Sequence, residues 1–156
     1  MSQWLGFTNQ KLYQARLLLD KSTQEEGPTA LNDALEQGGL YLLYDAYVSY
    51  LNEVATVAHC PTPVESLDTL LTNTPLVTGE MTELRVLFDD SYSWLTAMLR
   101  AISDQAQLGS SSPSVMPVKP SGNLIAASSE PTSNARQWWQ SLSDLIDSQR
   151  ENRQES

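Results

Sequence analysis

The stretch from Leu31 to Ala58, LNDALEQGGLYLLYDAYVSYLNEVATVA, constrains this chain more than any other. It holds the densest run of large apolar side chains and no proline, so a helix can pass through it unbroken. At 100° per residue, Leu35, Gly39, Leu42, Ala46, Tyr50, Val54 and Val57 make one stripe, and Leu40, Leu43, Tyr47, Leu51 and Ala58 make a second beside it. Together they cover well over half of the circumference, more than the single stripe of a surface helix. Such a helix needs neighbours on several sides and is expected at the centre of a bundle. One polar strip remains on it: Tyr41, Asp45, Ser49, Asn52, Thr56 and His59. Gly38-Gly39, each costing roughly 1 kcal/mol relative to alanine inside a helix, reads as a close helix crossing in preference to a break.

The flanking sequence supplies the neighbours. Trp4, Leu5 and Phe7 form an apolar leader expected to pack on the bundle, and a first helix is expected from about Thr8 to Thr23. Leu12, Ala15, Leu18 and Leu19 share its inner face. Gly27-Pro28 stops it, and so short a connection makes the first two helices antiparallel. Thr62-Pro63-Val64-Glu65 has the form of a capping box with proline at the first helical position, predicting a short helix through Leu67, Leu70 and Leu71. A long fourth helix is expected from about Glu80 to Gln107, with Met81, Leu84, Leu87, Phe88, Ser91, Trp94, Leu95, Met98, Leu99 and Ile102 on one half of the wheel. From about 108 to 133 the chain turns Ser- and Pro-rich, an irregular crossing segment with apolar pairs at Val115-Met116 and Leu124-Ile125. A last amphipathic helix follows on Ala135, Trp138, Trp139, Leu142, Leu145 and Ile146, and residues 150–156 are expected to fray. The fold class is therefore all-α: a single-domain bundle of four to five helices over residues 1–149.

Composition narrows the function classes. The 156 residues, 40% apolar with four Trp and six Tyr, suffice for one domain with a real core. Nineteen acidic against nine basic residues give a net charge of −10, and the acids are scattered. Nucleic-acid binding needs Lys and Arg to neutralise phosphates, so no nucleic-acid partner is expected, nor a membrane partner. The N-terminus lacks the basic start and apolar core of a signal peptide. No stretch approaches about 18 uninterrupted apolar residues. One cysteine, Cys60, rules out an internal disulfide and fits a reducing compartment. A cytoplasmic protein is expected.

Catalytic material is scarce. His59 and Cys60 are adjacent, whereas a nucleophile and its base normally meet from separate elements, and both read as structural. A di-iron bundle needs Glu-x-x-His on paired helices, but the chain has one histidine. The Arg-x-x-x-x-His motif of helical toxin nucleases is absent, because Val54 stands five residues before His59. There is no phosphate-binding glycine loop, GxSxG or HExxH. No catalytic, cofactor or metal residues are assigned.

Two features stay open. The strip Tyr41, Asp45, Ser49, Asn52, Thr56 and His59 is a candidate ligand surface, with Asp45 placed to pair with Lys11 or Arg16, although a solvated helix face explains it as well. Trp138-Trp139 is a candidate partner anchor, although docking on its own bundle through the fourth helix is the stronger reading.

Three stretches in order, Thr8-Asn9-Gln10-Lys11-Leu12-Tyr13-Gln14-Ala15, Leu40-Tyr41-Leu42-Leu43-Tyr44-Asp45-Ala46 and the Trp-Leu-Leu-Ile pattern of the last helix, resemble a family of small, mostly helical gammaproteobacterial proteins of unknown function. The resemblance implies a cytoplasmic bacterial protein and carries over no catalytic residues. From the residues themselves, the chain reads as a non-catalytic protein-interaction module, binding a protein partner or itself. The alternative is a small-ligand binder or atypical enzyme using the polar strip.

Overall fold

The computed structural model describes residues 3–24, 29–107 and 134–155. Within them six helices and no strand occur: α1 (Gln3–Gln24), α2 (Thr29–Val57), α3 (Leu67–Asn73), α4 (Gly79–Asp89), α5 (Trp94–Ala106) and α6 (Ala135–Glu155). The protein is all-α. The irregular segment expected over 108–133 and the Gly27-Pro28 stop lie outside the described residues.

α2 is the centre, with α1, α3, α5 and α6 all packed on it. Every residue from Ser49 to Ala55 is buried, a pattern possible only for a helix covered on all sides. α1 begins at Gln3, so Trp4 and Phe7 belong to its first turns and not to a separate arm. Its Thr8, Leu12, Ala15 and Leu19 form the buried stripe. The pairs Thr8–Ser49, Lys11–Asp45 and Leu19–Gly39 run in opposite chain directions, making α1 and α2 antiparallel.

α2 continues through Gly38-Gly39 without a break. A Cβ at Gly39 would lie 2.6 Å from Leu19 Cδ2, and one at Gly38 would lie 3.0 Å from Leu18 Cδ1. The missing side chains let α1 approach. His59 then ends the helix with φ 59°, the left-handed conformation. Its N–H donates to the Thr56 carbonyl at 3.2 Å, and the Cys60 N–H donates to the Ala55 carbonyl at 2.8 Å. These two bonds are the Schellman pair that satisfies the last carbonyls of a helix.

Two boundaries differ from the expectation. The capping-box reading of Thr62 to Glu65 is overturned: α3 starts at Leu67 with Ser66 as its cap, the Ser66 hydroxyl accepting the Thr69 N–H at 3.1 Å. The reason is tertiary, since the Asn52 side chain takes both the Val64 N–H (2.7 Å) and the Val64 carbonyl (3.0 Å) and holds that stretch out of a helix. The long fourth helix is in fact two. Asp90 Oδ1 accepts the Tyr92 N–H at 2.9 Å, a turn that competes with helix continuation. Ser93 caps α5, accepting the Thr96 N–H at 3.1 Å while its own hydroxyl donates to the Leu87 carbonyl at 2.5 Å. The first turn of α5 thus satisfies the carbonyls that α4 leaves open.

The core joins all six helices. Leu43, Tyr50, Leu51 and Val54 of α2 share the core with Ala15 of α1, Leu70 of α3, Met81 and Leu84 of α4, Leu95 and Met98 of α5, and Leu142 and Ile146 of α6, all fully buried. α6 lies against α1, α2 and α5 and is helical to Glu155. Residues 150–155, expected to fray, continue that helix. No described helix is long and apolar enough to cross a membrane.

Candidate functional site

The polar strip of α2 does not form one surface. Asp45 is half-exposed and pairs with Lys11 at 3.5 Å, an ion pair of small energetic value at such exposure. Ser49 and Asn52 are buried instead of solvated. The Ser49 hydroxyl donates to the Trp4 carbonyl (3.1 Å) and accepts from Thr8 (2.9 Å). The Asn52 amide is consumed by Val48 and Val64. Thr56 is exposed and donates to the Asn52 carbonyl at 2.9 Å. His59 is exposed at the helix stop, and Tyr41 is exposed on a different side pocket. Three of the six strip residues, Asp45, Ser49 and Asn52, come together in one place.

That place is an open groove of about 530 Å³ between the start of α1 and the α2–α3 connection. Trp4 and Phe7, in edge contact at 5.8 Å, form one wall. Tyr44 and Val48 form the floor, and Pro63 and Val64 form the far wall. Lys11, Asp45 and Glu65 line it as well. Because Ser49 and Asn52 spend their polar atoms inside the chain, the groove presents mostly apolar surface. The sequence marked Trp4 and Phe7 as a packing leader but not as groove lining, their spacing of three being the sign of a shared helical face.

A second pocket, about 570 Å³, adjoins the first across Tyr44. Tyr41, Tyr44 and Tyr47 of α2 face Leu67 at the start of α3, Phe88 at the end of α4, and Leu99 and Ile102 of α5. Tyr44 and Tyr47 tilt against each other with centroids 6.3 Å apart. Tyr47 is 3% exposed, and among the described residues its hydroxyl has no hydrogen-bond partner. Burial, with the neighbouring Tyr44 adding to it, pushes the Tyr47 hydroxyl well above the usual tyrosine range.

The most developed polar cluster is elsewhere and was not legible in the sequence. Glu53, buried on α2, receives Arg150 of α6 at 2.7 Å and lies 3.7 Å from Arg153. Arg153 also bonds Glu80 of α4. Gln149 accepts from the Tyr50 hydroxyl at 2.6 Å and donates to Glu83 at 2.8 Å. Each of these groups already has its partner within the chain, so the cluster reads as a fastening of α6 to α2 and α4.

Trp138 and Trp139 are half-buried against the same core. Trp139 Nε1 donates to the Leu12 carbonyl at 2.8 Å, and Arg136 stacks over its ring at 4.6 Å while pairing with Asp20 at 2.7 Å. Trp139 is thus engaged by its own bundle through α1, and α6 also lies against α5, part of the stretch expected as the fourth helix. Cys60 is buried, and burial raises its thiol pKa, the opposite of an activated nucleophile. Among the described residues, no three His, Cys, Asp or Glu side chains gather as a metal site.

The chain belongs to a family of unknown function (DUF6586), whose pattern matches residues 1–156. Among curated proteins none matches it, and among solved structures none matches it.

Proposed function

We infer that this member of a family of unknown function is a non-catalytic protein-interaction module. Its partner would seat apolar side chains in the groove walled by Trp4 and Phe7. The observation that carries this reading is the state of the groove's polar atoms. Ser49 and Asn52, which would orient a polar ligand, are saturated by Trp4, Thr8, Val48 and Val64. What is left to a visitor is aromatic and aliphatic surface, with Phe7 44% exposed. Protein interfaces combine apolar surface with polar and charged groups, and here Lys11, Asp45 and Glu65 accompany the apolar lining. The buried free thiol of Cys60 suits a reducing compartment, and we place the protein in the cytoplasm.

The test is a single charge in the groove. Phe7→Glu alters a half-exposed side chain at the surface and should leave the helical circular dichroism unchanged. Tyr92→Glu, at a side chain 96% exposed outside both pockets, is the control. A partner retained in pull-downs by the parent chain and Tyr92→Glu, and lost with Phe7→Glu, supports the reading. Sedimentation of the same three proteins distinguishes a second copy from a different protein. Undiminished capture by Phe7→Glu moves the interface off this groove.

A further inference from the structure

We propose that the pocket bounded by α2, α3, α4 and α5 is a binding site for an uncharged, largely apolar small molecule that offers one hydrogen-bond acceptor to the Tyr47 hydroxyl. This pocket and the interaction groove are lined by different residues, sharing only Tyr44. The first observation is the pocket itself: about 570 Å³, within the range of small-molecule sites, walled by hydrophobic and aromatic side chains with few polar groups. Among the described residues no Lys, Arg, Asp or Glu lines it, so a charged ligand would leave water without a counter-charge there.

The second observation is the Tyr47 hydroxyl. A buried hydroxyl without a partner is destabilising, and such groups are uncommon in folded proteins. Here the residue that carries the orphan is one of those lining the pocket. The other deeply buried tyrosine, Tyr50, is by contrast bonded to Gln149. At neutral pH the Tyr47 hydroxyl carries its proton, which burial holds more firmly still, and the ligand group that matches this unspent donor is an acceptor such as a carbonyl or ether oxygen. The hydroxyl oxygen shows almost no surface of its own. Access therefore requires the wall to give, and the exposed rings of Tyr41 and Tyr44 are the parts free to turn aside. An unmet hydrogen bond in the free protein, met on binding, makes the acceptor the source of selectivity.

Benzophenone and diphenylmethane test this, being alike in shape and differing in the carbonyl. Both are titrated against the full chain by NMR, and benzophenone is then photocrosslinked and mapped. Benzophenone should bind roughly fivefold more tightly than diphenylmethane, the value of one hydrogen bond. Adducts should fall on Leu99, Ile102 and their neighbours. Tyr47→Phe should erase the difference between the two probes while raising the thermal midpoint of the free protein by roughly 2–4 °C, since it removes a buried unpaired group. Ser103→Phe, which fills the pocket from an exposed position on α5, should block both probes. No binding of benzophenone, equal affinity for the two probes, adducts outside the pocket, or a probe preference that survives Tyr47→Phe each overturns the proposal.

Discussion

The Glu53 carboxylate and the Arg150 guanidinium meet edge to edge, Nε to Oε1 at 3.2 Å and Nη2 to Oε2 at 2.7 Å. The glutamate side chain is only 3% exposed and the arginine 17%. Arg150 Nη1 reaches on to Asn9 of α1 at 2.9 Å, and Arg153 ties the same carboxylate to Glu80 of α4. The last turns of α6 are thereby fixed to three other helices, which is why they do not end where the apolar pattern ends.

Removing the carboxylate should expose how much of the fold depends on this cluster. Breaking one side of a buried pair leaves the other charge uncompensated and typically costs about 3–5 kcal/mol. The two arginines retain some water here, so Glu53→Ala should destabilise by about 3 kcal/mol in urea unfolding. Deleting residues 150–156 should cost a comparable amount. A loss below about 1 kcal/mol for both, the scale of a surface ion pair, would show the cluster to be dispensable.

The two adjacent glycines of α2 should respond in opposite directions to alanine. In a helix the exchange alone gains about 1 kcal/mol. At Gly39 the new methyl would lie 2.6 and 2.7 Å from Leu19, a side chain 2% exposed and unable to retreat. Overpacking of that kind costs about 1–3 kcal/mol, so Gly39→Ala should be net destabilising. At Gly38 the nearest atom is the Leu18 terminal methyl at 3.0 Å, on a half-buried side chain with room to turn. Gly38→Ala should be neutral or stabilising. The sign difference in urea midpoints is the result to look for.

The sequence made α2 readable because a helix apolar on two adjacent stripes has one solution, a central position. It left unreadable whatever depends on which element lies over which residue. Ser49 and Asn52 look like a solvated face until Trp4 and Val64 are seen to sit on them. Glu53 looks like any surface acid until Arg150 and Arg153, three apart on α6, arrive from the far end of the chain. The split between α4 and α5 is hidden for another reason. Met81 and Leu84 before it, and Leu95, Met98 and Ile102 after it, keep helical spacing across the turn. Only Asp90 and Ser93 carried a local sign of it, as residues whose side chains compete for backbone groups.

His59 occupies a conformation that suits glycine. At φ 59° a side chain with a Cβ is crowded, which is why helix stops of this form usually carry glycine. The His59 ring is exposed, and neither pocket is lined by it. His59→Gly should therefore raise stability, by about 1 kcal/mol once glycine's greater unfolded-state freedom is set against the relieved left-handed strain. The gain should appear as a higher urea midpoint at an unchanged slope. A loss of stability would mean that the imidazole makes a stabilising contact outweighing backbone relief.

Alkaline pH should unfold this protein through two of its six tyrosines. Tyr47 and Tyr50 are 3% and 0% exposed, and burial raises both hydroxyls above the usual range. In the unfolded chain each titrates near 10. Above that pH the folded state therefore holds protons that the unfolded state has released, and stability falls as pH rises. Below about pH 9 neither group contributes a slope. Above pH 10 the two together contribute up to about 2.7 kcal/mol per pH unit, one proton each. Tyr47→Phe should halve that slope and leave the Tyr50 part, whose proton is held on Gln149. Tyrosinate absorbance provides a second readout on the same sample. Two of six tyrosines should ionise only with the loss of helical circular dichroism, in step with global unfolding. Ionisation of all six while the helices persist would place those two hydroxyls within reach of water, and would also remove the buried orphan on which the Tyr47 pocket depends.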